Sequence, residues 1–201
     1  MTIVARGDFE PTSITELIAY IRANTEDVTY AHAGIGSASH LCGMLFMDAL
    51  DTPMTTVAYK GTGPAMTDLL GGQVDVMCDQ TTNTVNQIKT GKIKGYAVTT
   101  KERLAVLPDL PTLDESGLAG FEMTVWHGLF APAGTPGEII DRLSQALQAA
   151  VQDPKVTARF ADLGTVPVPP DQATPAAMDR HLAAEIVKWK PIIQEAGVYA
   201  D

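Results

Sequence analysis

The amino-acid sequence predicts an α/β fold, a parallel sheet with helices on its faces, and three observations carry that expectation. Short β-rich runs at VTYAH (28–32), TTVAY (55–59) and QVDVMC (73–78) are each followed by a polar or glycine-rich loop and then by a helical segment. The segment after the first run repeats Ala38, Leu41, Cys42, Leu45 and Ala49 at steps of three and four, so one of its faces is buried. The chain has 201 residues and is 45% hydrophobic, enough to bury a core as one large domain or two small ones.

Taken in order, Ser13 and Glu16 form a capping box that opens a helix to about Ala23. The first run leads through AGIGSAS into a helix over 39–50. The second leads through Lys60, Gly61, Thr62 and Gly63 into a helix opened by Pro64, whose fixed φ suits a first turn, and closed by Gly71 and Gly72. The third leads through Asp79, Gln80, Thr81 and Thr82 into a helix over 83–90, capped by Gly91, and GYAVTT (95–100) returns as a strand. From Leu107 the prolines and glycines of LPDLPTLDESGLAGFE mark an irregular connection, and MTVWHGLFAPAG after it reads as a crossover between lobes. Thr135 and Glu138 form a second capping box, with Pro136 at the first helical position, for a helix to about Val151. Asp153 and Pro154 open another helix ended by Gly164, and VPVP (166–169) reads as a short strand. Thr174 and Pro175 open a last long helix that stops before Gly197, and Pro191 is expected to kink or shorten it.

A net charge of −10 and a pI near 4.7 oppose sequence-independent binding to nucleic acid or anionic membranes, which needs a surplus of Lys and Arg. No run approaches the roughly 18 apolar residues of a membrane span, and the start, MTIVARGDFEP, carries no export signal. Cys42 and Cys78 lie in apolar surroundings and are read as buried thiols, with a disulfide between them the lesser alternative. Four scattered histidines form no metal motif, and Asp75, Asp79, Glu102 and Asp109 show no paired-carboxylate spacing. Ser37 with His40 as its base is excluded as a catalytic pair: three residues apart at a helix start, they lack the nucleophile elbow and its G-x-S-x-G pattern. The chain is read as no enzyme, with no cofactor.

The most informative segment is Ala33-Gly34-Ile35-Gly36-Ser37-Ala38-Ser39-His40, a glycine-rich turn between strand and helix where free amides and the positive dipole end can hold a carboxylate or phosphate. It matches neither the phosphate loop nor the dinucleotide fingerprint. The loops at 59–63 and 79–82 also follow strands and open helices, so all three converge at the carboxyl edge of one sheet, where open α/β sheets bind ligands. The plainer reading is that Thr62, Thr81 and Thr82 cap helices and Lys60 is solvated. An ionised Asp79 would repel a carboxylate at close range, so it binds a ligand hydroxyl or amine, orders water or, as the safer reading, caps the next helix.

YAHAGIGSASHL, VAYKGTGPAMTDLLGGQVDVMCD, LPDLPTLDESGLAGFE and WHGLFAPAGTP, in that order, resemble the landmarks of Bug-type receptors of tripartite tricarboxylate transporters. The resemblance covers nearly the whole chain. It implies a periplasmic-binding-protein-like (type II) two-lobed fold, N-terminally truncated with the second lobe complete. Residues 1–7 would be a hinge strand and remnant of the first lobe, 8–121 the second lobe with its anion-binding loops, and 122–201 the crossover and helical return. The lobes would close about hinges near residues 4–8 and 121–126. The implied partners are a small mono-, di- or tricarboxylate and a membrane permease, and the implied location is the periplasm. Carried over by position, Ala33, Gly34, Gly36 and Ser37 would offer amides and a hydroxyl to the carboxylate, with His40, Tyr59, Thr62, Asp79 and Gln80 around it. His32 and His127 would either tune ligand choice or lie exposed. Loss of part of the first lobe would expose apolar surface and favour a homo-oligomer. The rival reading is a non-transport interaction or signalling module, or a truncated gene product without a ligand.

Overall fold

A computed structural model describes residues 1–195 and 197. The elements run β1 (Thr2–Arg6), α1 (Ile14–Ala23), β2 (Thr29–His32), α2 (Ala38–Leu50), β3 (Thr55–Ala58), α3 (Thr62–Leu70), β4 (Val76–Asp79), α4 (Thr81–Lys89), β5 (Ile93–Val98), α5 (Gly137–Gln152), α6 (Pro154–Asp162) and α7 (Pro175–Glu195). They divide into two compact units, Met1–Val125 and Trp126–Gly197.

In the first unit a five-stranded sheet has the order β3-β2-β4-β1-β5. The expected parallel pairing holds for β2 with β3 and with β4, whereas β1 runs antiparallel to both β4 and β5. Ile3, Val4 and Ala5 are fully buried, as a strand covered on both faces requires. Side-chain alternation sends Ala31 and Met77 to the face where Ala65, Met66 and Leu69 of α3 pack. Tyr30 and Cys78 point to the other face, against α2. There the Tyr30 hydroxyl donates to the Ser39 carbonyl at 2.6 Å and accepts from the Cys78 amide at 3.1 Å. The expectation of two buried thiols is corrected: Cys42 of α2 and Cys78 of β4 are joined in a disulfide, both fully buried, with Cα atoms 6.1 Å apart. Their separation of 36 residues gave no local sign of this; the packing of α2 on β4 creates it.

Capping follows the sequence only in part. Ser13 Oγ accepts from the Glu16 amide at 3.2 Å, but the Glu16 carboxylate returns to the amide and hydroxyl of Thr12, each at 2.7 Å, so the box closes one residue earlier.

The second unit carries α5, α6 and α7. Glu185 accepts from the indoles of Trp126 at 3.4 Å and Trp189 at 3.0 Å, and the Ala173 carbonyl accepts from Gln148 at 3.2 Å. The Asp153 side chain caps α6 through the amides of Lys155 and Val156, as expected. The second capping box does not form. The Thr135 hydroxyl donates to the Pro132 carbonyl at 2.8 Å, and Pro136, not Thr135, precedes the first residue of α5. VPVP forms no strand, because Pro167 and Pro169 have no amide to give a ladder. Pro191 lies inside α7 without ending it. No residue of α5 or α6 is buried, and Ile139, Leu143, Ile186 and Val187 are all exposed.

Replacing Tyr30 with Phe strands the buried Cys78 amide and removes one of the bonds to the Ser39 carbonyl, and is expected to cost about 1–3 kcal/mol of stability. Replacing Cys42 and Cys78 together with Ala is expected to cost roughly 2–4 kcal/mol, through the freer unfolded chain. Urea unfolding with and without reductant checks both: reductant should lower the midpoint of the wild type and of Tyr30→Phe but leave that of the double variant unchanged.

Candidate functional site

The three loops lie at the carboxyl ends of β2, β3 and β4, and hydrogen bonds tie them together. The Gly61 amide donates to the Ala33 carbonyl at 3.1 Å, and the Tyr59 amide to the His32 carbonyl at 2.9 Å, joining the first loop to the second. The Thr62 hydroxyl bonds the Asp79 carboxylate, joining the second to the third. Convergence inferred from strand order alone is thus present as direct contact.

The first loop turns on two glycines in the left-handed region, Gly34 at φ 117° and Gly36 at φ 75°. Four of its amides are already engaged. Ala33 donates to Ser39 Oγ at 2.8 Å, Gly34 to His32 Nδ1 at 3.3 Å, Gly36 to His40 Nδ1 at 3.2 Å, and Ser37 to the Gly34 carbonyl at 3.1 Å. Ser37 is the N-cap of α2, its Oγ accepting from the His40 amide at 3.2 Å. An anion meeting this loop must therefore compete for those amides or use other donors.

The histidines explain how the loop is held. His32, the last residue of β2, is 2% exposed, and His40, in the first turn of α2, is 8% exposed. Their ring centroids lie 4.4 Å apart at an interplanar angle of 38°. Burial pushes both below the ordinary histidine range, and His32 beside it pushes His40 further. His32 thus belongs with the site, while His127 lies exposed in the other unit. The only sequence signal for the pair was its placement, one histidine ending a strand and the other one turn into the next helix.

The remaining predicted residues fall into supporting roles. Tyr59 is half-buried against the core beneath α3, and its hydroxyl donates to Asp68 at 2.8 Å. Asp79 is 1% exposed. Burial pushes its carboxyl above the usual range, against the stabilising bonds from the Gln80 amide, from Asn83 Nδ2 at 3.1 Å and from Thr62. Gln80, not Asp79, is the N-cap of α4, and its carbonyl accepts from the amides of Asn83 at 3.0 Å and Thr84 at 3.2 Å. Asp79 steadies that turn from one residue earlier.

Comparison with known proteins places this geometry in a family. Residues 1–198 match the family model described as the tripartite tricarboxylate transporter family receptor. A relative from Agrobacterium vitis, a UPF0065 protein in the TAR-I ttuE-ttuC' intergenic region, is 54% identical over 98% of this chain, which spans 57% of that relative's length. The structure of the periplasmic binding protein BugD superposes with a TM-score of 0.94 at 50% identity, covering 100% of this chain and 67% of its own. MatC from Rhodopseudomonas palustris, with bound malate, gives a TM-score of 0.89 at 38% identity, over 96% of this chain and 65% of its own. The fold is that of the periplasmic binding proteins, and the chain belongs to the tripartite tricarboxylate transporter receptor family.

Proposed function

We propose that the first unit supplies one wall of a binding site for a small carboxylate, and that the protein of which it is part is a receptor, not an enzyme, delivering that solute to a membrane permease. The observation that carries this reading is the contact of three strand-to-helix loops at one sheet edge, tied by the Gly61–Ala33 and Thr62–Asp79 bonds. Malate in the MatC structure supports a dicarboxylate as the ligand class. The residues assigned to the site are Ala33, Gly34, Gly36, Ser37, His40, Thr62, Asp79 and Gln80, with Tyr59 beneath them. Work in the periplasm is supported by BugD, a periplasmic binding protein, and by the buried Cys42–Cys78 disulfide, which persists in oxidising compartments.

Calorimetry with malate, succinate and citrate is expected to show binding to this chain, weaker than micromolar because one wall alone buries little of a ligand. No heat from any mono-, di- or tricarboxylate at millimolar concentration would overturn the claim that this chain binds by itself.

The exposed apolar residues of the second unit support a second proposal, self-association. Leu129 and Phe130 are 72% and 67% exposed, and Ile139, Leu143, Ile186 and Val187 add to the apolar surface. Light scattering after size-exclusion chromatography is expected to show a mass above the monomer that rises with concentration. A monomer mass at all concentrations would count against it.

A further inference from the structure

We propose that His32 and His40 act together as the anion-recognising element of this site, each donating its Nε2–H to one oxygen of a ligand carboxylate. The inference deepens the carboxylate-receptor reading and rests on it.

Each Nδ1 accepts a backbone amide, from Gly34 at 3.3 Å for His32 and from Gly36 at 3.2 Å for His40. A nitrogen that accepts a hydrogen bond carries no proton, so the single proton of each neutral ring sits on Nε2. Burial keeps both rings neutral near pH 7. Among the described residues neither Nε2–H has a protein acceptor and neither is a sealed-in unpaired atom, so each reaches solvent although the residues are only 2% and 8% exposed. Two ring donors, stacked 4.4 Å apart, thus reach solvent at the end of β2 and the start of α2, where a ligand could take them.

The chemistry of the missing partner follows. It must accept two hydrogen bonds, and a carboxylate offers two oxygens for them. The positive end of α2 adds attraction for a negative group, and the first-turn amides of Ala38 and Ser39 have no protein acceptor among the described residues. A metal ion is disfavoured, because it needs the Nε2 lone pairs that this tautomer has used. The glycine amides are committed to the rings. They hold the imidazoles in place, and the imidazoles face the ligand's chemistry in their stead.

Isosteric substitution separates the two edges of each ring. Asn places an acceptor near the Nδ1 position and lacks the Nε2 donor, whereas Gln places an amide N–H near Nε2 and lacks the Nδ1 acceptor. Malate titration should show affinity falling roughly tenfold or more in His32→Asn and His40→Asn, while His32→Gln and His40→Gln retain more of it. Asn variants that bind as the wild type, or Asn variants that rescue binding better than Gln, would overturn the inference. Nitrogen-15 spectra of the free wild-type histidines provide a reading that needs neither ligand nor variant. Both rings should show protonated Nε2 and bare Nδ1, and malate should shift both Nε2 signals. An Nδ1–H tautomer at either ring would overturn the proposal even if malate binds, whereas the expected tautomers with no malate binding would overturn the receptor reading on which it rests.

Discussion

Tyr30 holds the carboxyl edge of the sheet together. Its phenol is fully buried, so its hydroxyl must be satisfied within the protein, and it bonds to the first turn of α2 through the Ser39 carbonyl and to β4 through the Cys78 amide. Burial also raises its pKa, keeping the hydroxyl a donor at any physiological pH. Gly43 makes room for the ring: a Cβ there would lie 2.2 Å from it. The Cys42–Cys78 disulfide repeats the same link covalently, one residue before Gly43. Ser39, placed by Tyr30, turns its own hydroxyl to the Ala33 amide and so sets the loop. The position of the His32–His40 pair depends on this chain of contacts.

The opposite ends of the strands are fastened differently. Arg6 of β1 donates to the Asp75 carboxylate at 2.9 Å, and the same carboxylate accepts from the amide and hydroxyl of Thr29 at 2.9 and 2.8 Å. One carboxylate thereby ties β1, β2 and the lead into β4. With these charges paired among themselves, the carboxyl ends of the strands present hydrogen-bond donors and a helix terminus. Lys60, the cation of the second loop, is exposed.

The two units differ in how they are stabilised. The first closes a core of Val4, Ala31, Leu69, Met77 and their neighbours across the sheet. The helices of the second are set by the Asp153 cap and by Glu185, which accepts from Trp189 one turn away and from Trp126 far along the chain, and α5 and α6 bury no residue.

Local signals made much of the fold legible. Periodicity located α2, glycines bounded α3, whose first turn holds Pro64 at its third residue and not at its start, and an aspartate before a proline marked the start of α6, because each acts within one helical turn. Signals that needed one turn to choose between neighbours failed, as at Thr135, where the helix began a residue later than the capping box required. The sequence also determined that three loops would follow three strands, since the alternation of strand and helix leaves few other arrangements. Tertiary structure alone decided the antiparallel course of β1, the pairing of Cys42 with Cys78 and the stacking of His32 on His40. Each of these joins residues distant along the chain, or residues whose side chains meet only after a turn has closed. The loop amides read as ligand donors in the sequence had no visible competitor until folding brought His32, His40, Ser39 and the Gly34 carbonyl within hydrogen-bonding distance of them.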